Sequence, residues 1–192
     1  MNIIHSIYFR SDELDAVILI SFRCFEENKN TILDQVKFFV NETDAMNYIL
    51  REKLELFKDN SFTDCKEILA LKNLILNYLS GKNLNLIDKI KGLNINLAEE
   101  EKFPTEFSRD VIRSLINLDH GEKTTYSEIG EKIGSKAYRA IGNVLRKNPI
   151  PLIIPCHRVL KKNGDIGGFM GESDKGWQVN LKKVLLKIEE LN

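Results

Sequence analysis

The chain has 192 residues, 43% hydrophobic and 29% charged, with 28 basic side chains against 28 acidic ones. That length supports one large or two small domains with their own cores, and the composition is ordinary for a globular protein. Only three cysteines occur, Cys24, Cys65 and Cys156, which argues against a disulfide framework and for a reducing, cytoplasmic setting. No apolar run approaches the roughly 20 residues of a membrane span, and the start Met1 to His5 lacks the basic and apolar segments of a signal peptide.

The first forty residues carry β-branched and aromatic residues in three runs, Ile3 to Phe9, Ala16 to Phe25 and Thr31 to Val40, separated by polar breaks. They predict a small antiparallel sheet. Helices are predicted over Glu42 to Phe57, with Asn41 as N-cap, and over Cys65 to Leu79, each with apolar residues near a 3.6 period. Lys82 to Lys102 reads as a connection. His5, Cys24 and Cys65 match no zinc-finger or ribbon spacing, and no metal or other cofactor is expected. The predicted organisation is an N-terminal α/β domain over 1–90, a linker over 91–103 and a C-terminal domain over 104–192.

Charge divides along the same line. Up to Phe103 there are 13 basic and 17 acidic residues, a net of −4; from Pro104 onward 15 and 11 give +4. Between Lys123 and Lys162 nine basic residues face only Glu128 and Glu131. Such a belt suits a phosphate backbone, although it is equally the composition of a solvated face.

In the second half Thr105 to Asn117 reads as a helix with Phe107, Val111, Ile112, Leu115 and Ile116 inward. Thr125 caps a short helix over Tyr126 to Ile133, with Glu128 completing a capping box. Gly134-Ser135 breaks it, and Lys136 to Lys147 forms a second, basic helix. Two helices about a glycine turn suggest a helix-turn-helix. On the second helix Ala137, Ile141, Val144 and Leu145 fall inward, while Lys136, Arg139, Asn143, Arg146 and Lys147 fall outward. Small Ala140 and Gly142 allow close approach of a backbone or groove.

Then comes Asn148-Pro149-Ile150-Pro151-Leu152-Ile153-Ile154-Pro155-Cys156-His157-Arg158-Val159. Leu152 to Ile154 reads as a short buried strand, which Pro155 ends. A thiolate is the reactive form of cysteine, and a neighbouring base or cation favours it; a buried structural cysteine is the plain alternative. Gly167-Gly168-Phe169-Met170-Gly171 follows, where backbone N–H groups can approach a planar ligand. Trp177 to Glu190 is the last helix.

Thr124-Thr125-Tyr126, Arg139-Ala140-Ile141-Gly142, Asn148-Pro149 through Pro155-Cys156-His157-Arg158-Val159, and Gly167-Gly168-Phe169 together resemble the O6-alkylguanine-DNA alkyltransferases, also called methylated-DNA–protein-cysteine methyltransferases. The resemblance covers the chain from about Pro104 onward. It implies an α+β protein: a small antiparallel sheet with helices first, then a mostly helical domain with a winged-helix-like helix-turn-helix. It also implies irreversible, single-turnover transfer of the alkyl group of O6-alkylguanine, and of O4-alkylthymine, from duplex DNA to Cys156 by a monomer. Base flipping is required because the alkyl group lies inside the stack.

On that pattern His157 is the base, acting through a water, and Glu189 orients it, with Glu190 as the alternative. Asn148 holds the turn and Tyr126 lies near N3 of the extruded base. The helix enters the minor groove, where Arg139 replaces the flipped nucleotide and Lys136, Ala140, Gly142, Asn143, Arg146, Thr124 and Thr125 contact DNA. Val159, Gly168, Phe169 and Met170 form the base pocket, the Val159 carbonyl and the Met170 N–H reading the guanine edge. Arg158 is expected in a structural ion pair. His157 is expected not to touch the sulfur directly, because neighbours in an extended segment point to opposite faces. The chain departs from the family in Phe169 for Tyr, Met170 for Ser or Ala, and Glu172 to Trp177 as a longer approach to the last helix. Two other readings are a helix-turn-helix protein that binds alkylated DNA without transfer, and a cysteine hydrolase using Cys156 and His157.

Overall fold

A computed structural model describes residues 3–25, 30–57, 66–172 and 175–190 of the chain. The chain divides into two compact units, Met1–Ala98 and Glu99–Asn192.

In the first unit β1 (His5–Ser11), β2 (Ala16–Phe25) and β3 (Asn30–Phe39) form the expected antiparallel sheet. Strand β2 is central and buried from Ala16 to Phe22, which is why its sequence runs continuously apolar instead of alternating. Two short strands were not legible in the sequence. β4 (Glu55–Leu56) pairs parallel with β1 and β5 (Ile95–Asn96) parallel with β3, so the order is β4-β1-β2-β3-β5.

The helix expected over Glu42 to Phe57 ends early, as α1 (Glu42–Arg51). Lys53 adopts a left-handed φ of 54°, and the N–H of Glu55 turns to the Ile4 carbonyl at 2.9 Å, recruiting the end of the apolar run into the sheet. The Asn41 cap is present, its side chain accepting from the Asp44 N–H at 2.9 Å. Helix α2 (Lys66–Leu79) follows; Cys65, its expected first residue, lies outside the described residues. The expected connection contains α3 (Leu86–Lys91), β5 and α4 (Glu99–Lys102). Leu86, Ile87 and Ile90 are buried, but elements of six residues or fewer are too short for periodicity to register. The sparse cysteines argue against a disulfide framework and for a reducing setting, yet Cys24 is disulfide-bonded.

In the second unit α5 (Glu106–Ile116) starts at the Thr105 cap and buries Val111, Ile112 and Leu115. Helices α6 (Tyr126–Lys132) and α7 (Tyr138–Arg146) flank a tight turn in which Gly134 has a φ of 66° and the Ser135 N–H reaches the Gly130 carbonyl at 2.8 Å. Helix α7 starts two residues later than expected, and Ala137 is exposed rather than inward, because it precedes the first helical turn. Ile141 and Leu145 do face the interior. β6 (Thr124–Thr125) pairs parallel with β7 (Val159–Leu160), tying the start of α6 to the segment after Cys156. Helix α8 (Trp177–Glu190) closes the unit.

Two local expectations fail around the cysteine. Leu152 to Ile154 is buried but is a turn, with a Pro151–Ile154 bridge and a left-handed φ of 76° at Leu152. Closely spaced prolines remove the donors a strand needs. Cys156–Arg158 is one 3-10 turn rather than an extended segment. Consecutive residues of such a turn are spread around its axis.

Candidate active site

Cys156, His157 and Arg158 are all buried; His157 and Arg158 meet at Glu189, while Cys156 lies against Asn148. The turn from Asn148 to Pro155 presents the cysteine. Asn148 uses its whole amide. Nδ2 donates to the Ile154 carbonyl at 3.1 Å and to Cys156 Sγ at 3.3 Å, while its oxygen accepts from the Ile150 N–H at 3.1 Å.

Burial pushes the Cys156 thiol above its ordinary value, against the Asn148 hydrogen bond and the charge of Lys182, which favour the thiolate. The resting sulfur is therefore protonated at neutral pH, and a nucleophilic role requires a base.

His157 is fully buried, and its Nε2 lies 3.1 Å from Glu189 Oε1. Arg158 donates from Nε and Nη2 to the same oxygen at 2.9 and 2.7 Å, and from Nη1 to the Leu118 and Asp119 carbonyls at 3.2 and 3.0 Å. Arg158 thus forms the expected ion pair, and its partner is the carboxylate that orients His157. Burial alone would raise the Glu189 carboxyl, but hydrogen bonds from His157 and Arg158 and the permanent charge of Arg158 outweigh it and hold the group well below the carboxylate range. For His157 burial prevails, with Arg158 and Lys182 adding to it, so the ring is neutral despite Glu189. An ionised carboxylate only accepts, so Nε2 carries the hydrogen and Nδ1 is the basic nitrogen. Of the two glutamates considered, Glu190 instead pairs with Lys123 at the surface.

The sulfur opens into a cavity of about 200 Å³. Among the expected residues Tyr126, Gly142, Arg146, Gly168, Phe169 and Met170 line it with Cys156; Leu145, Gly171 and Glu172 were not anticipated. Phe169 and Glu172 exchange backbone hydrogen bonds at 2.9 and 3.0 Å across a tight turn in which Met170 and Gly171 both have positive φ, 49° and 99°. Burial and the nearby Cys156 push the Tyr126 hydroxyl above its usual value, so it stays a proton donor.

Lys182 is a residue that sequence reasoning missed. It is fully buried on α8 and donates to the Val159 and Gly168 carbonyls at 2.6 and 3.3 Å. Burial lowers it to about 8, with Cys156 pulling the other way. The signal was available: Val179, Lys182, Leu185, Leu186 and Glu189 share the inward stripe of α8, and a cation on such a stripe has a reason to be there.

Around α7, Lys136, Arg139, Asn143 and Arg146 are exposed, and Ala140 and Gly142 are half-buried. Gly142 faces the Tyr126 ring, where an added Cβ would lie 3.7 Å from it. The hydroxyls of Thr124 and Thr125 are engaged in the cap of α6: Thr124 Oγ1 donates to Glu128 at 3.1 Å, and Thr125 Oγ1 accepts from the Glu128 N–H at 3.2 Å. Among the described residues no cluster of three metal-ligating side chains occurs, and no helix is long and apolar enough to cross a membrane.

Residues 106–191 match the family model described as 6-O-methylguanine DNA methyltransferase, DNA binding domain. A methylated-DNA–protein-cysteine methyltransferase of Methanosarcina mazei is 37% identical over 123 residues, 64% of this chain and 68% of that protein. One of Saccharolobus islandicus is 38% identical over 131 residues, 68% of this chain and 71% of that protein. Among solved structures, the Mycobacterium tuberculosis O6-methylguanine methyltransferase superposes with a TM-score of 0.64 at 21% identity, covering 98% of this chain and 94% of that one. Mycobacterium tuberculosis OGT in complex with DNA gives 0.62 at 20% identity, covering 97% and 93%. These likenesses establish the α+β fold over both units.

Proposed function

The chain belongs to the methylated-DNA–protein-cysteine methyltransferases, and from that premise we propose that it repairs O6-alkylguanine in duplex DNA by moving the alkyl group to Cys156. The thiolate attacks the alkyl carbon in line. The S–C bond forms as the C–O6 bond breaks, and guanine leaves with its electron pair on O6. A thioether is a poor leaving group, so each molecule acts once.

The observation that carries the assignment is the buried His157–Glu189–Arg158 cluster directly after Cys156, a cysteine that lines a cavity and is held by Asn148. His157 Nδ1 takes the thiol proton through a water. Glu189 accepts from Nε2–H, which keeps the basic nitrogen towards the cysteine and stabilises the imidazolium that forms. Arg158 keeps Glu189 ionised in an apolar surrounding. Asn148 Nδ2 and the Lys182 charge lower the cost of the thiolate. Tyr126 donates to the leaving base near N3. The Val159 carbonyl has a second lone pair beyond the one held by Lys182, and with the Met170 N–H it reads the guanine edge.

Helix α7 enters the minor groove with Lys136, Ala140, Gly142, Asn143 and Arg146 against the backbone, and Thr124 and Thr125 nearby. Arg139 fills the place of the extruded nucleotide. The free protein acts as a monomer, since every group of the site lies in Glu99–Asn192. Residence in the cytoplasm, with the DNA, belongs to the same reading.

The test is an intact mass after incubation with a duplex carrying O6-methylguanine. The expected result is a stoichiometric gain of one methyl group, absent in Cys156→Ser. Unchanged mass with retained binding to the alkylated duplex would leave a helix-turn-helix binding protein instead.

A further inference from the structure

Tyr138 is the only large hydrophobic residue of the second unit that is exposed, at 42%, among the described residues. It is the first residue of α7 and directly precedes Arg139. Its ring is seated on Gly130 of α6: a Cβ built there would lie 2.7 Å from Cε1 and 3.2 Å from Cδ1 of the ring. Position 130 must be bare for the Ser135 carbonyl, 2.5 Å from such a Cβ, as well as for the ring to keep its place, and the ring's exposed side is left towards solvent.

The direction of that free face follows from helix geometry. Gly142, Leu145 and Arg146 are the α7 residues that line the Cys156 cavity. Tyr138 stands four residues before Gly142 and eight before Arg146, on the same stripe and about one turn (roughly 5.4 Å) beyond the cavity wall. A nucleotide delivered into the cavity comes from a duplex that passes this spot. The surroundings fit a polyanion: Lys136, Arg139, Arg146 and Lys147 are exposed, and no acidic residue occurs between Glu131 and Asp165.

We infer that Tyr138 is a DNA-contacting residue, its pre-seated ring packing flat on the sugar–base edge beside the position that the flipped nucleotide vacates. This rests on the alkyl-transfer reading and extends it. The ring loses little rotamer freedom on binding because Gly130 already holds it, and aromatic stacking on a base tolerates any sequence. Its hydroxyl is not needed.

The experiment measures single-turnover alkylation of Cys156 by an O6-methylguanine duplex and by free O6-benzylguanine, which needs no DNA contact. Tyr138→Ala and Tyr138→Leu, the latter keeping apolar cover on Gly130, are compared with Tyr138→Phe and the unaltered chain. The expected outcome is a loss of about tenfold on duplex for Ala and Leu, the scale of one stacking contact, with free-base rates unchanged and Phe close to the parent. Equal losses on both substrates would reduce Tyr138 to a prop for the helix-turn-helix and overturn the inference. So would unchanged duplex rates, or a Phe variant as slow as Ala. If the unaltered chain is not alkylated by either substrate, the alkyl-transfer reading itself fails, a result separate from all of these.

Discussion

His157 and Glu189, 32 residues apart in the chain, meet at 3.1 Å between Nε2 and Oε1, and the same oxygen receives Arg158. The carboxylate is therefore clamped between a neutral ring it must orient and a permanent cation that keeps it charged. This division of labour explains why Arg158, adjacent to His157 and not among the residues that line the cavity, is buried at all.

Removing that cation should be costly. In Arg158→Met the Glu189 carboxylate stays buried with only a neutral partner, and urea denaturation should show a loss of about 3–5 kcal/mol. Arg158→Met with Glu189→Met should recover much of this, since no lone charge remains. A single-variant loss below about 1 kcal/mol would mean that Arg158 does not anchor the carboxylate.

Asn148→Ala deletes three hydrogen bonds at once, to Ile150, Ile154 and Cys156. Stability should fall by about 1–3 kcal/mol, because the Ile150 N–H loses its partner, whereas the Ile154 carbonyl keeps the Cys156 N–H at 2.8 Å. Alkylation by free O6-benzylguanine should slow as well, with the thiol titrating higher when followed by its ultraviolet absorbance. Asn148→Asp should be slower still, because a carboxylate offers the thiolate no donor.

The pH dependence of stability has a definite sign. Burial holds His157 below its ordinary 6.5, so the unfolded chain binds the extra proton first and stability falls as pH drops below about 6.5. Glu189, whose folded value is depressed, adds a further loss as pH falls below its unfolded value of about 4.3. On the alkaline side Lys182, lowered to about 8 by burial, relieves its own cost between there and 10.5, while Cys156, raised by burial, loses stability above 9.0. In chemical denaturation across pH, His157→Gln should flatten the slope near 6. Lys182→Met should steepen the decline above 9. Unchanged slopes would contradict the buried neutral ring and the buried lysine.

Arg139→Ala should weaken repair of duplex far more than reaction with free O6-benzylguanine, since only the former requires the vacated position to be filled. Both rates can be read from the same mass measurement. Matching losses on the two substrates would remove Arg139 from the flipping role. Binding of unmodified duplex should also weaken with rising salt, as phosphate contacts by Lys136, Arg146 and Lys147 require.

The sequence by itself determined the parts whose signal is local. The three long strands, the Asn41, Thr105 and Thr125 caps, the glycine turn of the helix-turn-helix and the run ending in Cys156-His157-Arg158 rest on short-range sterics and hydrogen bonding, which neighbouring residues specify. The family resemblance paired Glu189 with His157 across a lengthened approach to α8, something no local rule reaches. Only the tertiary structure decided the rest. β4 and β5 exist because sheet edges recruit two-residue segments too short to announce themselves. Leu152 to Ile154 is apolar for burial, not for pairing, and composition cannot distinguish the two. Lys182 and Tyr138 look like any lysine and tyrosine on a helix until Val159 and Gly168 are seen around one and Gly130 beneath the other. A side chain's chemistry is set by what surrounds it, and those neighbours come from distant parts of the sequence.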